Sequence, residues 1–407
     1  MVSLFLLAAS LPVSPQAWTP WAPRPEIAPK TFVDAAGALA VSGNSNFAAY
    51  GGWQQQVNNI EPGQWYRFTA RYRTEGIPHD WLQVQARLDW TAPSGKRAGQ
   101  PEYAWSTQPA GEWTKVSVSA PAPQGASGVK LQLFLANAPV GSVWWDDVRL
   151  ESIAAPPPRA VTVATVNLRP TRTGAAAVSV KRFVEMVDLR VDKADLIVLP
   201  EGISVVGTGK QYDEVSEPVP GPTTAALGEL AKRKNAYIAA GIYERENGVI
   251  YNTAVLIDRK GGLAGKYRKV YLPREEYEGG ITPGSDYPVF PTDFGKVGMM
   301  ICWDVQYADP ARALALAGAE IIVLPIWGGN DVLARARAIE NHVYLVSSGY
   351  NHPSRIIDPN GEVLADAREQ GSVALATLDL NKRHADQWLG EMRGRFHKEL
   401  RLDVPVR

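Results

Sequence analysis

The sequence predicts two regions of different class: an antiparallel β-sandwich, then an α/β region in which sheets are covered by helices. Three observations carry this. The run "SIAAPPPRAV" breaks the chain at residues 152–161, and such a proline-rich stretch is a semi-rigid linker. Before it, short segments alternate apolar and polar residues between Pro, Gly, Asn or Ser, as strands of a sandwich do. After it, continuous apolar strands alternate with amphipathic helical segments, the pattern of a sheet buried on both faces. The 407 residues are enough for two or three domains. The expected division is a signal-like segment at 1–17, the sandwich at 18–153, the linker at 154–160 and the α/β domain at 161–407.

In the first region, "QWYRFTARYRT" (64–74) and "WLQVQARLDW" (81–90) alternate as strands. "EWTKVSVSAP", "GVKLQLFLAN" and "SVWWDDVRLE" follow, and no convincing helical period interrupts them. The segments "GGWQQQV", "PGQWYRF", "GEWTKVSV" and "VWWDDVRLE" resemble the galactose-binding-like jelly-roll modules attached to secreted bacterial enzymes. That resemblance implies a jelly-roll sandwich and a possible glycan partner. Tryptophans crowd here, among them Trp53, Trp65, Trp81, Trp90, Trp105, Trp113, Trp144 and Trp145. Tryptophan stacks on sugar rings when exposed and fills cores when buried, so both uses stay open. Asp146 and Asp147 offer a carboxylate pair for a structural calcium.

In the second region, "VTVATVNL" reads as a strand and "AAVSVKRFVEMVDLRV" as an amphipathic helix. "ADLIVLPEG" is a buried strand ending at a carboxylate, and "TTAALGELAKRKN" is a helix with Thr223 near its start. "AYIAAGIYE" and "YNTAVLIDRKGG" are strands. "KVGMMIC" is a strand followed by the helix "DPARALALAGA". "EIIVLPI" is a strand followed by the helix "NDVLARARAIENH". "VYLVSSGY", "RIIDPNGEVLA" and "GSVALATLDL" complete the sheets.

Composition narrows the partners. Lysines and arginines number 42, and so do aspartates and glutamates. The balance gives no support for a nucleic-acid partner. Five scattered histidines and one cysteine lack metal-ligand spacing, so no metal is expected. The stretch "MVSLFLLAASLPVSPQAW" has the apolar run and small residues of a secretory signal. Export to the periplasm or the medium is therefore expected, with a cytoplasmic location as the alternative. No later stretch is long and apolar enough to span a bilayer as a helix.

Three polar residues sit at strand ends, where side chains converge on a ligand crevice. Glu201 ends "LIVLPEG", Lys269 lies in "GKYRKVYLP" and Cys302, the single cysteine, ends "VGMMICWD". Singly, each has a bland reading: a capping carboxylate, a solvated lysine, a small core hydrophobe. Together with their neighbours they resemble the nitrilase, or carbon–nitrogen hydrolase, superfamily. The matching segments are "LIVLPEG", "YNTAVLIDRKGGLAGKYRKVYLP", "VGMMICWDVQYADPAR", "GAEIIVLP", "RARAIEN" and "IIDPNGEVLA", in the family's order.

The resemblance implies a four-layer α-β-β-α sandwich and a catalytic set of Glu201, Lys269 and Cys302. Glu201 would act as general base, Lys269 and the Trp303 amide as oxyanion donors, and Cys302 as nucleophile through a thioester. No cofactor is implied. Of the acids in "REEYEGG", Glu276 is favoured over Glu275 and Glu278 as the family's second glutamate. Tyr251, Asn252, Asp304, Arg312 and Glu340 match supporting positions. The family's usual homo-oligomer is expected. Tyr271 replaces the histidine common in family amidases, which touches the pocket's details rather than the triad. "RKVYLP" and Asp304 point to the amidase and carbamoylase branches, so a small amide or N-carbamoyl substrate is expected. Nitrile hydrolysis, N-acyl transfer, and a glycan-binding protein carrying a relict hydrolase domain are the alternatives.

Overall fold

The computed structural model describes residues 9–386 and 388–404. The first eight residues of the signal-like segment lie outside the described residues. Ala9–Leu11, also within that segment, forms a short strand paired with Leu150–Ser152.

By contacts the chain divides into two units. The first holds residues up to Pro157 together with Arg383–Arg407, and the second holds Pro158–Lys382. The second unit thus ends earlier than the 161–407 division has it, because the last residues pack with the first unit.

In the first unit every strand pairing is antiparallel. One sheet has seven strands, with Trp65–Glu75 between Ser142–Ile153 and Trp113–Pro121. The other has five, centred on Gly128–Ala136 between Tyr50–Asn58 and Val84–Thr91. Alternate residues such as Phe68, Ala70, Leu88, Trp90, Leu131 and Trp145 meet in one core between the sheets. The alternation predicted from Trp81 starts later than expected. Asp80–Gln83 makes one helical turn, and the strand begins at Val84. Among the described residues Asp146 and Asp147 belong to no group of three or more metal-ligating side chains. Asp146 pairs with Arg71 and Asp147 with Arg149, so each carboxylate already has its counter-charge.

The second unit is a mixed α/β fold of two six-stranded sheets. In the first sheet Ala160–Asn167, Leu196–Val198 and Tyr237–Glu246 run parallel. Parallel neighbours need long crossovers, and the helices Ala176–Arg190 and Pro222–Lys234 supply them. In the second sheet Lys296–Met299, Ile321–Pro325 and Tyr344–Ser348 are parallel in the same way. Their crossovers are the helices Asp309–Leu316 and Asp331–Asn341.

Val163, Val198 and Leu256 of one sheet pack against Met299, Val323 and Val346 of the other in a common core. The opposite face of the first sheet packs on Phe183, Val187, Leu227 and Leu230 of its helices. The layers are therefore helix, sheet, sheet, helix. Residues apolar on both faces explain the continuous runs seen in the sequence.

Candidate active site

The ends of the parallel strands bring the polar residues together. Pro200 and Glu201 follow the strand Leu196–Val198, where the chain must leave the sheet. Gly202 turns it with φ +62°, a conformation that favours glycine. Gly241, on the neighbouring strand, lies under this turn: a Cβ there would stand 2.6 Å from the Glu201 Cα. Lys269 follows the strand Leu263–Arg268, and Cys302 opens a short 3₁₀ helix, Cys302–Gln306. The Cys302 backbone has φ +41°, unusual for a residue with a Cβ. Such a conformation costs about 1–3 kcal/mol and persists only where the surroundings impose it.

Lys269 is 1% exposed. Its Nζ lies 2.9 Å from Glu201 Oε1 and 3.0 Å from Glu276 Oε2. Asn252 joins the same two carboxylates, donating from Nδ2 to Glu201 Oε1 and to Glu276 Oε1 at 2.7 Å each. Glu276 reaches them from the short helix Arg274–Glu278, on which Glu275 and Glu278 are exposed. The remaining oxygen of Glu201, Oε2, is buried and has no hydrogen-bond partner among the described residues. Cys302 interacts with the Glu201 carboxylate and with the backbone N–H of Trp327.

The charges follow from these neighbours. Burial alone would discharge Lys269, but Glu201, Cys302 and Glu276 outweigh it and raise its pKa. Burial pushes Glu276 up, with the Glu201 charge adding to it against the pull of Lys269. Burial, then the Glu201 charge, push the Cys302 thiol up to about 12, against Lys269 and the Trp327 amide. These shifts favour a thiol beside a base over a preformed thiolate.

Asp304 fastens the frame. It is fully buried and accepts from the Tyr267 hydroxyl at 2.7 Å, the Ile301 amide at 2.9 Å and the Tyr271 amide at 2.9 Å. One carboxylate thus links the turn that carries Cys302 to the loop after Lys269. Trp303 is 37% exposed. Its amide sits in the first turn of the 3₁₀ helix, where N–H groups have no intrahelical acceptor.

The other supporting positions stand further off. Tyr251 lies under the Arg268 guanidinium, 3.8 Å from the ring centre. Glu340 pairs with Arg337 at 2.8 Å, and it is Arg337 that reaches the loop after Cys302, donating to Val305 O and Gln306 O at 3.2 Å each. Arg312 sits on the helix Asp309–Leu316. Among the described residues its side chain makes no hydrogen bond or ion pair.

Several participants escape a reading of motifs. Tyr212 and Tyr243 stack at 4.5 Å between centroids, and both feel the charge of Glu201 and Glu276. The Trp327 amide lowers the Cys302 pKa, and the Tyr350 hydroxyl donates to the Glu201 carbonyl. The only advance signals are that Trp327 follows a predicted strand and that Tyr350 ends the segment "VYLVSSGY".

The sequence model of the carbon-nitrogen hydrolase family matches residues 162–386. An omega-amidase of Homo sapiens is 31% identical over 216 residues, spanning 46% of this chain and 78% of its own. A probable nitrilase of Schizosaccharomyces pombe is 34% identical over 210 residues, spanning 46% of this chain and 76% of its own. Among solved structures, an amidase from Nesterenkonia sp. aligns at a TM-score of 0.48 and 19% identity, over 55% of this chain and 94% of that one.

Proposed function

The chain belongs to the carbon-nitrogen hydrolase family, and from that premise we propose that it hydrolyses a small linear amide through a thioester on Cys302. The observation that carries this reading is the buried cluster of Glu201, Lys269 and Glu276, bridged by Asn252, beside the only thiol. The omega-amidase name of a relative favours an amide over an N-carbamoyl substrate.

The steps balance as follows. Glu201 takes the thiol proton while the sulfur electron pair forms the S–C bond to the substrate carbonyl. The carbonyl π pair moves to oxygen, and the Lys269 ammonium and the Trp303 amide hold that oxyanion. The oxyanion then collapses and the C–N bond breaks. Glu201 gives its proton to the departing nitrogen, so ammonia leaves and a thioester remains. Water attacks the thioester as Glu201 takes its proton. The C–S bond breaks, the carboxylic acid leaves, and Glu201 returns the proton to sulfur. Lys269 keeps one charge throughout, and Glu276 with Asn252 holds it and Glu201 in place.

The test is ammonia release from short aliphatic amides, ω-amides of dicarboxylic acids, N-carbamoyl amines and nitriles, with wild type and Cys302→Ala side by side. Release from amides that vanishes in the variant supports the reading. Folded wild type that releases nothing from amides, yet acts on nitriles or carbamoyl amines, overturns the substrate class. Unchanged release by Cys302→Ala overturns the nucleophile.

A further inference from the structure

The buried cluster beside Cys302 occupies one face of a three-strand patch, and a second ionic cluster occupies the other. The strands Tyr237–Glu246, Val249–Ile257 and Leu263–Arg268 lie side by side, and the last is the edge of its sheet. Side chains alternate between the faces along a strand. Asn252, and Lys269 one residue past the edge strand, meet Glu201 and Glu276 on one face. Their chain neighbours Thr253 and Arg268 turn to the opposite face, where both meet Glu244.

Glu244 is the hub of that second cluster. It is 1% exposed, and a carboxylate that deep is ordinarily paired. Its Oε1 accepts from Arg268 Nη2 at 2.8 Å and from the Lys266 ammonium. Its Oε2 accepts from Arg268 Nε at 3.0 Å and from the Thr253 hydroxyl at 2.8 Å. Burial alone would raise the Glu244 pKa, but Arg268, Lys266 and Thr253 outweigh it and lower it. Arg268 is held twice more. The Tyr251 ring lies 3.8 Å from its guanidinium, and the exposed Glu246 pairs with Nη2 at 2.8 Å.

Two features make this cluster a geometric device rather than a source of field. Glu244 and Glu246 balance Lys266 and Arg268, so the cluster adds no net charge behind the site. A planar guanidinium that engages both oxygens of one carboxylate fixes orientation as well as distance. The place matters too. An edge strand has a ladder partner on one side only, and Lys269 sits where that pairing ends, its amide donating to Asn252 O at 2.9 Å.

We propose that the fork of Arg268 on Glu244 positions Lys269: it clamps the edge strand one residue before the lysine and so aims the ammonium between Glu201 and Glu276, beside Cys302. Arg268 and Glu244 are positioning residues that act through Lys269 and touch no substrate. The effect on turnover rests on the amidase reading, whereas the effect on the thiol does not.

The test compares Arg268→Lys with Glu246→Gln in the full chain, by amide turnover, by alkylation of Cys302 with iodoacetamide at neutral pH, and by thermal unfolding. Arg268→Lys keeps the charge and loses the fork. It is expected to lower kcat about tenfold or more with KM nearly unchanged, the size of effect that small misplacements produce. Alkylation should slow with it, because the Lys269 charge favours the thiolate. Glu246→Gln changes the charge and keeps the fork. It should leave kcat and alkylation within about twofold of wild type, since exposed ion pairs contribute little. Should Arg268→Lys not fold, Thr253→Val removes one hydrogen bond from Glu244 and carries the test, with a smaller loss in the same two readouts. A fall in Tm with kcat and alkylation both unchanged would mean a merely structural role and overturn the proposal. Equal losses in Arg268→Lys and Glu246→Gln would trace the effect to charge and overturn it as well. Wild type that is alkylated at Cys302 yet releases no ammonia from any amide overturns the amidase reading instead, and alkylation of the variants still decides the clamp.

Discussion

At the level of single residues, the protonated sulfur decides how the proposed chemistry starts. A thiol held near pKa 12 gives almost no thiolate at neutral pH, so proton removal must accompany attack. Glu201→Gln is therefore expected to lower kcat/KM by about 10²–10⁴, the usual contribution of a general base. The same change should move the thiolate transition of Cys302 to lower pH. It deletes a negative charge that opposes the thiolate and leaves the Lys269 ammonium, which favours it. Ultraviolet absorbance of the thiolate against pH reads this directly, and a shift to higher pH would contradict the account. Glu201, Lys269 and Cys302 could be picked out in the sequence because Glu201 and Cys302 follow apolar strands and all three lie in specific motifs. The double bridge made by Asn252 was not visible beyond its motif position, since two carboxylates on different elements meet it only after folding.

Elements place these residues to within fractions of an ångström. Gly241 is the clearest case, because the strand Tyr237–Glu246 abuts the backbone of Glu201. Gly241→Ala should push the Glu201 turn aside and lower kcat by about tenfold to a hundredfold, as small misplacements do. Tm should fall only modestly, and kinetics beside thermal unfolding would separate the two effects. Arg337 ties the helix Asp331–Asn341 to the loop that follows the nucleophile. Arg337→Met strands two buried carbonyls and should cost about 1.5–3 kcal/mol, measurable by urea unfolding. The periodicity found the helices Ala176–Arg190 and Pro222–Lys234 because their apolar faces are broad and regular. It missed the turn Asp80–Gln83, where four residues cannot show a helical period. It also missed that both sheets of the second unit share one plan, three parallel strands with two crossover helices. That likeness lies in backbone topology and not in recurring residue types.

For the whole molecule, the division of the chain is the property least visible in the sequence. The linker marked where the second unit begins, but nothing marked its end at Lys382. The segment that returns is short and polar, and its role rests on contacts with residues far away in the chain. Arg383 pairs with Glu102, and the Gln85 side chain donates to the Lys398 carbonyl. Removing the chain after Lys382 should lower the melting transition of the first unit while leaving that of the second in place. Amide hydrolysis should survive the truncation, and calorimetry with an ammonia assay would show both.

The sandwich is thus written in two instalments, with the whole hydrolase between them. On the ribosome its first instalment emerges early and must wait. The second unit can finish folding while the sandwich still lacks its closing helix, because domains fold largely as units when their residues become available. Arg383, His397 and Lys398 leave the exit tunnel after the whole of the second unit. A chain that stops at Lys382 would carry the whole second unit and a sandwich that lacks the helix Met392–Glu399.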